Sequence, residues 1–183
     1  MPRGCDYRRK AGGGKMKQQI IISGLGGQGV LFVTRLLAEA GLEMGLDVLT
    51  SETHGMAMRG GTVLSHVKVG GFKSPLIRKG SADMGLYLVR SNIPIHGDFV
   101  KQDGDRVVNT DQSGEYLFVD ATSQAREMGS LLLTNLILLG YAVAHKTLFC
   151  DAEVMRKAIA KVSNDKNREL NLAGFERGLE LGG

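Results

Sequence analysis

Cysteine is nearly absent: the 183 residues contain two, Cys5 and Cys150. Two cysteines so far apart fit neither a metal site nor an iron–sulfur cluster. No apolar stretch precedes the first predicted strand, so nothing there reads as an export signal or membrane anchor, and a reducing cytoplasm is the expected location. Aromatic residues make up only 5%, and no basic stripe is interleaved with them, which speaks against nucleic acid as a partner. The net charge of +4 does not alter this. Five of the 23 basic residues (Arg3, Arg8, Arg9, Lys10, Lys15) and one of the 19 acidic ones (Asp6) lie in residues 1–15, leaving 18 of each sign. Long hydrophobic runs are also missing. Ser130–His145 carries no charged residue, but at about 15 apolar positions it falls short of the roughly 20 that span a bilayer, and it reads as a buried core helix. There is no internal repeat, and no G-x-S-x-G, Walker A lysine, H-E-x-x-H or paired cysteine nucleophile. No catalytic residue and no metal ligand is assigned, and independent catalysis is not expected.

What the chain has instead is glycine, 26 residues of it, concentrated where it carries meaning. The run Gln19-Ile20-Ile21-Ile22-Ser23 breaks into Gly24-Leu25-Gly26-Gly27-Gln28-Gly29 and continues from Val30 with helical periodicity, Leu31, Leu36, Leu37, Ala40 and Met44 falling near one face. Gly24, Gly26 and Gly29 have G-x-G-x-x-G spacing between a buried strand and a helix. Such a turn lets backbone approach an anion while the first helical N–H groups and the positive end of the helix dipole point at it. Close packing of strand on helix is the other use of the same glycines.

Residues 1–15 are expected to be a disordered N-terminal extension, with Met16 as the true start, and 16–183 a single domain. The first helix should stop near Gly45, and Asp47–Ser51 should form a second strand. Glu52-Thr53-His54-Gly55-Met56-Ala57-Met58-Arg59-Gly60-Gly61 reads as a loop. Thr62–Val69 is a strand with Val63, Val67 and Val69 on one face and His66 and Lys68 on the other, and Phe72–Ile77 is predicted to return as its hairpin partner. Strands follow at Met84–Val89, Arg106–Asn109 and Tyr116–Asp120. Beyond residue 120 the period is helical, with Asp151 as N-cap of a helix at Ala152–Val162 and a closing helix at Asn167–Leu179. The pattern predicts an α/β fold, a three-layer α/β/α sandwich whose mixed sheet is mostly parallel, with a Rossmann-like first βαβ unit.

Two functional readings compete on these residues. Glu52, at the end of the second strand, stands where an acidic ribose ligand sits in a free-standing NAD(P)-binding oxidoreductase; a loop and a strand follow it where such a fold supplies a helix. His54 and Arg59 could instead hold an anionic group at the ligand-binding end of the sheet, or be solvated loop residues. A third reading is a scaffold in which the glycines only pack. His66, His96 and His145 have no ligand-spaced partner and read as structural. Met56, Met58 and the apolar 130–145 region suggest association, as a homodimer or with a larger subunit.

The two glycine motifs, Ser74-Pro75-Leu76-Ile77, Asn135 with Leu139-Gly140, and the ending Glu169 to Gly178 together resemble the gamma subunit, or gamma domain, of 2-oxoacid:ferredoxin oxidoreductases of the pyruvate, 2-oxoglutarate and indolepyruvate types, over about residues 16–180. The resemblance implies a part of an enzyme that oxidatively decarboxylates a 2-oxoacid (ketoacid), reduces ferredoxin through iron–sulfur clusters and forms an acyl-CoA. It further implies alpha, beta and ferredoxin-like delta subunits as partners. Those chains would bind the thiamine diphosphate and the iron–sulfur clusters, and this one would serve coenzyme A and assembly. In agreement, the sequence has neither a Gly-Asp-Gly thiamine motif nor a Cys-x-x-Cys-x-x-Cys run; the basic tail departs from the family pattern. On that reading coenzyme A is held by Gly24, Gly26, Gly27, Gln28 and Gly29 from the turn and by His54, Arg59, Gly60 and Gly61 from the facing loop.

Overall fold

The computed structural model describes residues 16–54 and 61–183, and of His54 the backbone alone. Six strands form one sheet in the order β2-β3-β1-β4-β5-β6. β1 is Gln18–Leu25, β2 Val48–His54, β3 Thr62–Val69, β4 Ala82–Tyr87, β5 Val100–Asn109 and β6 Leu117–Val119. β1 pairs with β3 antiparallel along its whole length, Gln18 opposite Val69 and Leu25 opposite Thr62, and with β4 parallel from Ile20 to Ser23. β4, β5 and β6 continue parallel, while β2 lies antiparallel on the far edge of β3. The sheet is mixed, and the first βαβ unit is split: β1 and β2 run the same way with β3 inserted between them.

Each β1 side chain goes to the face its parity dictates. Ile20 and Ile22 join the large core under the helices, and Ile21 joins a smaller cluster with Leu64, Tyr87, Val100 and Val108. On the first face lie α1 (Val30–Glu43), α3 (Ala121–Glu127), α4 (Thr134–Ala144), α5 (Ala152–Val162) and α6 (Arg168–Gly182). The other face has a thin cover that includes α2 (Ile93–His96) and the 3-10 turns Arg90–Asn92 and Gly97–Phe99, with Ile93 and Phe99 packed on the smaller cluster. Buried Gln18 ties the start of β1 to the chain after α4: its Nε2 donates to the Thr147 carbonyl at 2.7 Å and its Oε1 accepts from the Phe149 N–H at 2.8 Å.

Several sequence expectations need correction. Phe72–Ile77 forms no strand, because both edges of β3 are already taken by β1 and β2. Leu31 and Met44 are exposed, and the buried stripe of α1 is Val30, Val33, Leu36, Leu37 and Ala40. β2 runs to His54, beyond the expected Ser51, and β5 starts at Val100. The uncharged run after Ser130 begins as a 3-10 turn, Leu131–Leu133, before α4 starts at Thr134. α4 is buried within its own fold, so it offers no surface for association; the exposed apolar residues of that region are Leu131 and Leu132. Asp151 caps α5 as read, its Oδ1 accepting from the Val154 N–H at 3.1 Å.

α4 and α6 pack backbone to backbone. A methyl group at Gly178 would overlap the Ile137 carbonyl oxygen and lie 2.9 Å from the Tyr141 nitrogen, and one at Gly140 would overlap the Phe175 carbonyl oxygen. Neither neighbour is a side chain that can turn away. Gly178→Ala should therefore destabilise the chain by about 1–3 kcal/mol in urea unfolding. Gly97→Ala, where the nearest atom is 3.5 Å away, should leave the midpoint nearly unchanged.

Candidate functional site

β1 ends where the sequence places the glycine turn. A Cβ at Gly24 would stand 2.8 Å from Val30 Cγ2 and 3.1 Å from Leu88 Cδ1, so this glycine serves the close approach of strand to helix. Gly27 and Gly29 have φ of 93° and 79°, a region that costs a residue with a Cβ about 1–2 kcal/mol. The Gln28 N–H donates to the Leu25 carbonyl at 3.1 Å. Its side-chain Oε1 accepts from the Leu25 N–H at 2.7 Å, so only the NH2 end of that amide is left to face a ligand.

The start of β3 meets this turn through Gly61. The Gly26 N–H donates to the Gly61 carbonyl at 3.0 Å, and in the ladder His54 stands opposite Val63, which stands opposite Gly24. The two motifs thus share one end of the sheet, joined at Gly26 and Gly61. Arg59 and Gly60 lie outside the described residues, as do Met56 and Met58. Gly26 closes the turn with its N–H and does not present it to solvent. Gly29 caps α1 without any side-chain cap hydrogen bond, so the first-turn N–H groups of α1 have no protein acceptor among the described residues. The macrodipole makes that end a seat for an anion.

Sequence reasoning did not place Asn135 in the site. Asn135 is 5% exposed and reaches from α4 to the turn, its Nδ2 donating to the carbonyls of Gln28 at 3.3 Å and Gly29 at 3.4 Å. Its Oδ1 is buried and has no partner among the described residues. The signal was present in the sequence as a carboxamide in an otherwise apolar helix. A cavity of about 290 Å³ lies beside it, lined by Gly27, Gln28, Gly29, Leu88, Thr122, Leu131, Leu132, Thr134 and Asn135. Nothing local in the sequence marks Leu88 or Thr122 for this role; they arrive from the exit of β4 and from α3 by topology.

Glu52 is exposed on β2, an edge strand separated from β1 by β3. A dinucleotide fold needs its second strand beside the first, so this sheet does not bring Glu52 to the glycine turn. His96 holds the opposite side of β1: its Nδ1 lies 2.8 Å from Ser23 Oγ, which accepts from Asn92 Nδ2 at 3.0 Å. The Ser23 hydroxyl can serve either tautomer of a neutral His96 in this contact. Burial lowers the His96 pKa, against an opposing pull from Asp98. His66 meets the Phe99 ring edge-on and His145 lies tilted against the Tyr141 ring. Among the described residues no group of three or more His, Cys, Asp or Glu could hold a metal ion, and no helix is long and apolar enough to cross a membrane.

Residues 19–181 match the family model described as pyruvate ferredoxin/flavodoxin oxidoreductase. The chain belongs to this family. The indolepyruvate oxidoreductase subunit IorB of Archaeoglobus fulgidus is 29% identical, over 89% of this chain and 94% of that one. The 2-oxoglutarate synthase subunit KorC of Methanocaldococcus jannaschii is 26% identical, over 91% and 95%. Among solved structures, the gamma subunit of a keto/oxoacid ferredoxin oxidoreductase from Geobacter sulfurreducens superposes with a TM-score of 0.73 at 26% identity, covering 90% of this chain and 98% of that one. The 2-oxoglutarate:ferredoxin oxidoreductase of Magnetococcus marinus shares the fold, with a TM-score of 0.74 at 19% identity. There the match covers 91% of this chain but 31% of the other. This family member is a subunit of a 2-oxoacid:ferredoxin oxidoreductase, and its six-stranded mixed sheet is that of the gamma subunits.

The His96 contact has a pH signature. Burial holds its native pKa below the ordinary histidine value of 6.5, so below about pH 6.5 the unfolded chain takes up the proton first. The stability from neutral His96 is present above that pH and lost as pH falls toward the native pKa. Urea midpoints of His96→Gln should fall less than the parent's between about pH 7.5 and 5.5.

Proposed function

We propose that this chain is the gamma subunit of a multi-subunit enzyme that oxidatively decarboxylates a 2-oxoacid to an acyl-CoA with reduction of ferredoxin. Within it the chain contributes a coenzyme A or phosphate seat and an assembly surface. The observation that carries this is the meeting of the glycine turn with Gly61 at the Gly26–Gly61 hydrogen bond, beside a helix N-terminus without a side-chain cap and a buried Asn135 oxygen that lacks a donor among the described residues. The residues fit the ligand. Free N–H groups suit a phosphate, the cavity suits a pantetheine arm, and Arg59, placed by sequence alone, supplies a compensating charge. Supporting the reading, the Magnetococcus marinus neighbour was solved with 2-oxoglutarate, coenzyme A and succinyl-CoA bound. Thiamine diphosphate and the iron–sulfur clusters belong to the partner alpha, beta and delta-type subunits. Exposed Leu131 and Leu132 support contact with such a partner or a homodimer, in the cytoplasm.

The chain alone should give no 2-oxoacid-dependent dye reduction, with activity appearing when thiamine- and cluster-bearing subunits are added. In the assembled enzyme Arg59→Ala should weaken coenzyme A binding by about ten- to a hundredfold in calorimetry, the share of a charge-assisted arginine–phosphate hydrogen bond. Parent-like affinity in that variant would move Arg59, Met56 and Met58 to a subunit contact.

A further inference from the structure

A second cavity, of about 450 Å³, adjoins the first, and Gly29, Leu132 and Asn135 line both. Through these shared residues the two spaces adjoin as lobes beside the N-terminus of α1. Their linings differ. The first lobe is walled by Leu88, Leu131 and the threonines. The second is walled by Arg35, Ser163 and the carboxamides of Asn164, Asn167 and Asn171, with no carboxylate in its lining. Gly29, Phe32 and Arg35 recur every three residues, so one stripe of α1 runs from the anion seat into the polar lobe. Arg35 is exposed and has no acidic partner among the described residues. Asn135 Oδ1, buried and without a donor among the described residues, lines both lobes and is the second sign of a ligand there.

We infer that the polar lobe is a second phosphate subsite, with Arg35 its cation, so that the two lobes together take a ligand bearing a terminal phosphate apart from its pyrophosphate. This rests on the proposed coenzyme seat and deepens it. The pyrophosphate lies over the N–H groups of α1, the apolar arm fills the first lobe and brings an amide N–H toward Asn135, and the ribose phosphate reaches Arg35. A neutral carboxamide wall suits this end: it donates to phosphate oxygens without adding the fixed charge that would hold a free anion in the ligand's place. The same arrangement distinguishes coenzyme A from a dinucleotide that lacks the extra phosphate.

The test is calorimetry on the full chain and on the assembled enzyme, with coenzyme A and dephospho-coenzyme A as probes. The parent should bind coenzyme A about tenfold or more tightly than dephospho-coenzyme A. Arg35→Ala should remove that preference and leave dephospho-coenzyme A affinity unchanged, while Arg35→Lys keeps part of it. Arg35 is solvent-exposed, so the variants should retain the parent's circular dichroism and melting curve. Equal parent affinity for the two probes overturns the inference and leaves the coenzyme seat standing. So does an Arg35→Ala variant that keeps the preference or weakens both probes alike. Failure of either probe to bind the parent in any assembly overturns the seat, and the inference with it.

Discussion

A strand hydrogen-bonded on both edges can release its chain only at an end, and β1 is such a strand. It is paired to β3 throughout and to β4 along its centre, with isoleucines filling both faces. Its exit must then turn sharply enough to start α1 against the same sheet. That turn requires Gly24 to bring strand and helix together, and Gly27 and Gly29 to take positive φ. The route leaves the N-terminus of α1 without a side-chain cap. The proposed anion seat is thus a consequence of how a central strand is connected, with Asn135 and Gly61 both hydrogen-bonded to the turn.

The insertion of β3 beside β1 decides what kind of site results. In a dinucleotide fold the position next to β1 belongs to β2, whose acidic end meets a ribose. Here it belongs to an antiparallel strand, and what reaches the turn is Gly61, just ahead of that strand. β2 becomes an edge and Glu52 faces solvent.

The local part of this was legible in sequence because it has local causes. The glycine turn, the stop of α1 at Gly45, and Asp151 as the cap of α5 each follow from one or two residues. The hairpin predicted at Phe72–Ile77 failed because edge occupancy is settled by strands distant in sequence. Leu31 and Met44 failed because periodicity defines a stripe only to within a residue or two. Asn135, Leu88, Thr122 and Arg35 come from four separate elements, and only the fold brings them around Gly29. The polar lobe was invisible for the same reason: Asn164 falls between the last two predicted helices and Asn167 and Asn171 in the closing one, with nothing local to join them to Arg35.

The central claim is that the N-terminus of α1, at the glycine turn, is where a phosphate of coenzyme A is held. Proton–nitrogen correlation spectra of the labelled chain, alone and assembled with its partners, test it most directly. Adding coenzyme A should shift the amide signals of Gly27, Gly29 and Val30 and leave those of Arg90–Phe99, on the opposite face, in place. Shifts confined to the opposite face, or no change at the turn under saturating coenzyme A in either state, would contradict it.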